Sequence, residues 1–365
     1  MFVLEKKLHS IYSCRQGGAS ESTEMHSIRM PLRSAAAPKR VDLRTMAHLP
    51  AVQIRIFPAY YPIPNAMKWT IVAIYVISIL HIHFRGRVRL PFFRQIFDHS
   101  SFVAPLNTFM HMFSGVPSTP YLPTSRFPEL LPLEQNWQMI RAEAVKLLEL
   151  QKIKAAQQND DAGFNSFFKE GWKRFYLKWY DASHPSAETL CPNTVALLRR
   201  LPNVKAAMFA ELPPGAKLNR HRDPFAGSLR YHLGLVTPNN DRCFIDVDGE
   251  RYSWRDGQGV IFDETYLHWA KNASDQNRII LFCDIERPMR YSWAQKINKW
   301  LGKTVMTAAS SPNDTGDQTG GINKLFRVVW HIGRYRRRFK AWNKTVYRIT
   351  KFALIIAVAA WIIFG

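Results

Sequence analysis

The chain has 365 residues, enough for one sizeable catalytic domain with further segments at either end. Its 50 Lys and Arg against 28 Asp and Glu give a net charge of +22 and a pI of about 10.0, a field that draws anions such as nucleic acid, acidic phospholipid or a phosphorylated glycolipid. The four cysteines, Cys14, Cys191, Cys243 and Cys283, form no Cys-x-x-Cys pair, which excludes a zinc ribbon and a disulfide framework and fits a reducing compartment.

Residues 1–66 lack helical or strand periodicity and lack a cleavage site behind an apolar core, so they read as an unstructured extension, with the functional chain expected to start at Met67. Residues 67–84 form an uncharged run after Lys68, close to the roughly 17–25 residues of a membrane span. Arg85, Arg87, Arg89 and Arg94 follow it directly.

A catalytic domain is expected over 85–323. Within it, residues 134–160 carry a helical pattern through Trp137, Ile140, Ala144, Leu147 and Leu148. Phe164 to Tyr180 mixes aromatics with Lys169, Lys173, Arg174 and Lys178. It reads either as a cover over a greasy anionic substrate or as a surface helix with buried aromatics.

Between about 200 and 290 the pattern turns to short strands at close spacing. Ala206–Ala210 is apolar, Pro213-Pro214-Gly215 is a turn, and Ser228–Val236 is a strand. Cys243–Val247 and Arg251–Trp254 form a hairpin around Asp248-Gly249, and 259–263 and 278–284 are two more strands. This spacing predicts a mostly β fold with a barrel or double-sheet jelly-roll core, flanking helices and apolar terminal helices. At the far end, residues 324–351 hold ten Lys or Arg and no acid, with Trp330, Tyr335, Trp342 and Tyr347 interleaved. They read as a juxtamembrane stretch against anionic headgroups or as a solvated basic helix. Residues 352–365 are apolar but short for a span. Both apolar segments have their basic flanks toward the central domain, which places that domain on the cytoplasmic side of a membrane.

The chemistry is carried by His221-Arg222-Asp223 and the distant His268. Two imidazoles and a carboxylate can occupy one face of Fe(II) and leave the other open for a cosubstrate and O₂. The His-x-Asp spacing suits a strand end, where alternate side chains point the same way. Arg278, beyond the distal histidine, is suited to a bidentate pair with the far carboxylate of 2-oxoglutarate. Arg230 and His232 share a strand face, and read equally as a polar pair at the barrel rim or as a contact near the metal. Asp263 and Asp284 are further candidate ligands, although loop-cap or strand-end roles suit them better. Arg220 and Arg222 flank His221 as anion contacts or as solvated charges.

Together, His221-Arg222-Asp223-Pro224, Leu229-Arg230-Tyr231-His232-Leu233-Gly234-Leu235, Ile261-Phe262-Asp263, His268 and Arg278 resemble the aspartyl/asparaginyl β-hydroxylase family of Fe(II)/2-oxoglutarate dioxygenases. The resemblance implies a double-stranded β-helix, with iron on His221, Asp223 and His268 and 2-oxoglutarate on Arg278 and His232. It also implies O₂ as second cosubstrate. Arg230 matches an arginine that holds the substrate carboxylate in peptide-modifying members. Ala210 stands where those members have a serine that helps hold 2-oxoglutarate.

The similarity to lipid-modifying members implies hydroxylation at the 2-position of a lipid A secondary acyl chain. The enzyme would sit in the inner membrane of a Gram-negative bacterium, with lipid A or its precursor and an anionic membrane surface as partners and no nucleic acid. The alternatives are another lipid such as an ornithine lipid, a protein Asp or Asn side chain, or a non-catalytic barrel that binds anionic lipid.

Overall fold

A computed structural model describes residues 65–156 and 160–364. The extension expected over 1–66 lies, as far as residue 64, outside the described residues. Among the described residues, ten strands form two antiparallel sheets: β1 (Tyr121–Leu122), β2 (Lys173–Trp179), β3 (Val204–Leu212), β4 (Lys217–His221), β5 (Ser228–Val236), β6 (Cys243–Val247), β7 (Glu250–Ser253), β8 (Gly259–Phe262), β9 (His268–Asn272) and β10 (Arg278–Glu286). The larger sheet has the order β1-β8-β5-β10-β3-β2 and the smaller β4-β9-β6-β7. From β3 onward the chain passes back and forth between the sheets, apart from the β6–β7 hairpin within the smaller one, and this is the double-stranded β-helix, or jelly roll, that the strand spacing predicts.

The helices are α1 (Asn65–Phe84), α2 (Phe92–Ile96), α3 (His99–Phe102), α4 (Ala104–Met112), α5 (Leu131–Gln135), α6 (Trp137–Glu149), α7 (Asn165–Phe168), α8 (Pro185–Leu190), α9 (Pro192–Arg199), α10 (Ser292–Leu301), α11 (Gly321–Trp342) and α12 (Lys344–Phe364). They flank the β core.

Strand alternation builds the two sides of the larger sheet. In β5, Leu229, Tyr231, Leu233 and Leu235 face one way, and in β10 so do Ile279, Leu281, Cys283 and Ile285. They pack with Ile140, Ala144 and Leu147 of α6 and Val195 and Leu198 of α9. The intervening residues turn inward: Arg230 and His232 from β5, and Arg278, Ile280 and Phe282 from β10, line the space between the sheets. Ala206, Met208, Ala210 and Leu212 of β3 meet Cys243, Ile245 and Val247 of β6 and Ala270 of β9 in that second core.

The β6–β7 hairpin forms where the sequence placed it. Asp248 and Gly249 both take positive φ, 56° and 89°, the combination that a two-residue turn matched to strand twist needs.

Phe164 to Tyr180 is neither one cover element nor one helix. Only Asn165–Phe168 is helical, and Lys173–Trp179 is the edge strand β2, paired along β3. The misleading residue is Arg174. It reads as surface charge, yet it is buried against Asp161 at 3.0 Å and Ser311 at 2.8 Å, partners invisible to local periodicity.

At the C-terminus the helix break falls at Asn343, so Lys344, Arg348 and Lys351 share α12 with the apolar run. Among the described residues, α1 alone is long and apolar enough to cross a membrane.

Candidate metal centre

His221 closes β4 and His268 opens β9, and the two are directly paired in the antiparallel register. Their rings lie 4.2 Å apart between centroids. Asp223 follows two residues beyond β4, held by its N–H donating to the Glu264 carbonyl at 2.9 Å. His221 Nε2 is 3.6 Å from Asp223 Oδ1, and one ligand atom from each of the three residues lies within 4.8 Å of the others. Asp263 and Asp284 stand outside this group.

The donor set fits a divalent metal. Each ring donates through Nδ1 to a backbone carbonyl, His221 to Asn219 at 2.7 Å and His268 to Tyr266 at 2.9 Å, and this leaves Nε2 of both as a lone-pair donor. Burial keeps both imidazoles neutral at ordinary pH, and that of His268, helped by the neighbouring His221, falls to about 3. Burial alone would raise the Asp223 carboxyl, but the Arg230 guanidinium and the two imidazoles outweigh it and hold the group below its ordinary range. Neutral His and ionised Asp are the ligand states a metal requires.

The three residues line one small cavity of about 40 Å³. Behind them, His232 is buried with neither ring nitrogen partnered, and stacks on Phe282 at 5.1 Å. Arg278 is also buried. Its Nε has no partner, its guanidinium lies 4.4 Å over Trp254, and Nη1 donates to the Ala210 carbonyl at 3.5 Å. Two unpartnered polar groups in an apolar wall are costly unless something polar joins them, and an anionic cosubstrate would satisfy both. Phe164 and Phe167, before β2, form the outer wall, Phe167 at 4.6 Å from the His221 ring.

Arg230 reaches the same cavity with its charge already matched. It pairs with Asp223, with Glu264, and with Asp284 at 2.8 Å, and its guanidinium covers Phe282 at 3.7 Å. Burial, with Asp284 and Asp223 close by, raises the Glu264 carboxyl to about 8 despite Arg230. Sequence reasoning missed Glu264 because nothing near it in the chain marks it as a partner of Arg230.

It also missed the role of Arg222. The residue between two ligands is buried and donates to the Ile82 carbonyl in the last turn of α1 at 2.7 Å. Arg220 lies over Trp269 at 5.9 Å. Asp263 takes the loop-cap role, accepting from the Thr265 N–H at 3.0 Å, and also binds Arg85 at 2.5 Å and Arg287 at 2.8 Å.

Comparison with known proteins places this geometry in context. The family model described as aspartyl/asparaginyl beta-hydroxylase matches residues 134–288. An ornithine lipid ester-linked acyl 2-hydroxylase from Rhizobium tropici is 35% identical over 173 residues, covering 47% of this chain and 62% of that protein. The human aspartate beta-hydroxylase domain-containing protein 2 is 31% identical over 183 residues, 47% of this chain and 48% of that protein. The human aspartyl/asparaginyl beta-hydroxylase is 28% identical over 161 residues, 43% of this chain and 21% of that protein. The chain thus spans less than two thirds of each of these relatives.

Proposed function

We propose that this chain, whose residues 134–288 match the aspartyl/asparaginyl beta-hydroxylase family model, is a member of that family and a membrane-bound Fe(II)/2-oxoglutarate-dependent hydroxylase acting on the 2-position of a lipid acyl chain. Lipid A is the leading substrate. The observation that carries the reading is the convergence of His221, Asp223 and His268 at one cavity, with the unpartnered His232 ring and the unpartnered Nε of Arg278 behind them.

In this reading His221, Asp223 and His268 hold the metal, and Arg278 and His232 take the cosubstrate carboxylate. Iron with 2-oxoglutarate and O₂ would supply the oxidising power for an unactivated C–H bond. The chain's own part is orientation and exclusion of water. Trp254 fixes the guanidinium of Arg278, the carbonyls of Asn219 and Tyr266 fix the ring tautomers, and the wall of Phe164, Phe167, Phe262 and Phe282 keeps the cavity dry.

Two features favour an acyl chain over a carboxylate-bearing side chain. The lining is mainly apolar, and Arg230 is closed by three carboxylates, so it serves to orient Asp223 and offers no free fork to a substrate carboxylate. The exposed, apolar α1 and the net charge of +22 support a phosphorylated lipid held at a membrane surface. An ornithine lipid is the second reading, supported by the Rhizobium relative.

The test is mass spectrometry of lipids from cells that express the wild-type chain or His268→Ala. Lipid A gaining one oxygen atom only with the wild type supports the leading substrate. The gain appearing on ornithine lipid alone replaces it with the second, and no gain on any lipid overturns the lipid-hydroxylase reading.

A further inference from the structure

The segment after α1 is inside out. In α2 and α3 the polar side chains turn inward: Gln95, Ser100 and Ser101 are buried. They hydrogen-bond one another, with Gln95 Nε2 donating to Ser100 Oγ at 2.9 Å and to Ser101 Oγ at 3.1 Å, and Ser101 Oγ donating to the Gln95 carbonyl at 2.5 Å, while Gln95 Oε1 stays unpartnered. Asp98 caps α3 by accepting from the Ser100 N–H at 3.0 Å. The apolar side chains turn outward: Phe92, Phe93, Ile96, Phe97 and Phe102 are exposed, Phe93 by 80% and Phe102 by 72%. Water selects the opposite arrangement. A hydrocarbon environment selects this one, because polar groups there must be paired internally.

We propose that α2 and α3 form a platform embedded in the interfacial layer of an anionic phospholipid bilayer. The inference rests on the membrane-bound reading above and adds a second point of contact to it. Three observations choose this occupant. The platform is continuous with α1, packing against it and starting a few residues after it ends, and α1 is likewise apolar outward with Ser78 and His83 buried. Arg89, its guanidinium 5.0 Å over the exposed Phe84 ring, and Arg94 of α2 are exposed along the same segment, a mix of cation and ring that suits a headgroup layer. From α12, Lys351 sets its ammonium 5.9 Å from the Phe97 ring, so a second apolar helix borders the patch.

The platform is also fastened to the metal-ligand loop. His99 Nε2 donates to the Arg222 carbonyl at 2.8 Å, and Asn107 of α4 donates to the Pro224 carbonyl at 3.1 Å. Insertion of the platform therefore fixes the height of His221 and Asp223 above the lipid.

The full chain, reconstituted in phosphatidylethanolamine–phosphatidylglycerol vesicles, tests this with a benzophenone amino acid placed singly at Phe93, Phe97, Ile74 or Leu150, all exposed. Ile74 reports on α1, and Leu150, at the end of α6, is the control. The expected result is a lipid-adduct yield at Phe93 and Phe97 roughly tenfold above Leu150, the ratio that about 1.4 kcal/mol of preferential contact gives. Lipid adducts at Ile74 with none at Phe93 or Phe97 overturn the platform and leave the α1 reading standing. Adducts at none of the three overturn both. A protein–protein adduct at Phe93 assigns the patch to a second copy of the chain and likewise overturns the proposal.

Discussion

At Asp263 one carboxylate is shared by two guanidiniums, Arg85 and Arg287. At the next residue, Glu264, the ratio inverts: Glu264, Asp284 and Asp223 crowd around the single guanidinium of Arg230. Both clusters are buried, so their stoichiometry decides their behaviour. The first is a joint. Arg287 and Arg85 overcome the burial of Asp263 and hold its carboxyl well below the ordinary range, and Arg85, stacked 4.0 Å over Tyr266, ties the end of α1 to the loop that leads to His268. The second is short of positive charge, and the Glu264 and Asp284 carboxyls are both pushed upward, chiefly by burial. A cluster short of positive charge beside two imidazole lone pairs suits a metal ion as its complement; a cluster that is rich in cations beside a helix end suits a structural role.

The largest effect that would break this contrast is on stability. Asp263→Ala strands two buried guanidiniums and should cost about 3–5 kcal/mol in chemical unfolding. A loss near zero would show the joint to be dispensable. Arg222→Met removes one charge-assisted bond to the Ile82 carbonyl and should cost about 1.5–3 kcal/mol in the same measurement. Glu264→Gln should unfold almost as the wild type does but weaken Co(II) binding, followed by its visible absorption, by about tenfold. If it destabilised the fold as strongly as Asp263→Ala, the two clusters would not differ in kind.

The smallest effect concerns pH. A depressed carboxyl stabilises the fold fully above its unfolded value of about 3.9 and loses that contribution as pH falls through the lower folded value. The Asp263 joint should therefore contribute equally at pH 5 and pH 7 and weaken only in stronger acid. Unfolding of wild type and Asp263→Ala side by side across that range checks it, and a gap that narrows between pH 7 and pH 5 would contradict the assignment.

How much of this was legible follows from where each signal lies. His221, Asp223 and His268 could be read because strand periodicity places His-x-Asp on one side of a strand end, and the β9 pairing then completes the set. The inward Arg230, His232 and Arg278 follow from the same alternation. The edge strand β2 was hidden because Arg174 is buried by partners elsewhere in the chain. The saturation of Arg230 was hidden for the same reason: Glu264 and Asp284 belong to segments that meet β5 only in the folded sheet. Asp263 was legible as a loop cap from its position after β8, but its two arginines come from just after α1 and from just beyond β10. Local pattern reports faces; ion partners across the fold depend on topology.

Arg222 occupies the one position that a two-ligand motif leaves unassigned, and it uses that position to grip the end of α1. The ligand pair and the helix terminus are thus one rigid piece. In the membrane-bound reading proposed above, a thicker or thinner bilayer around α1 would be met by rocking of the whole jelly roll, with no hinge available between the lipid and the metal-binding loop.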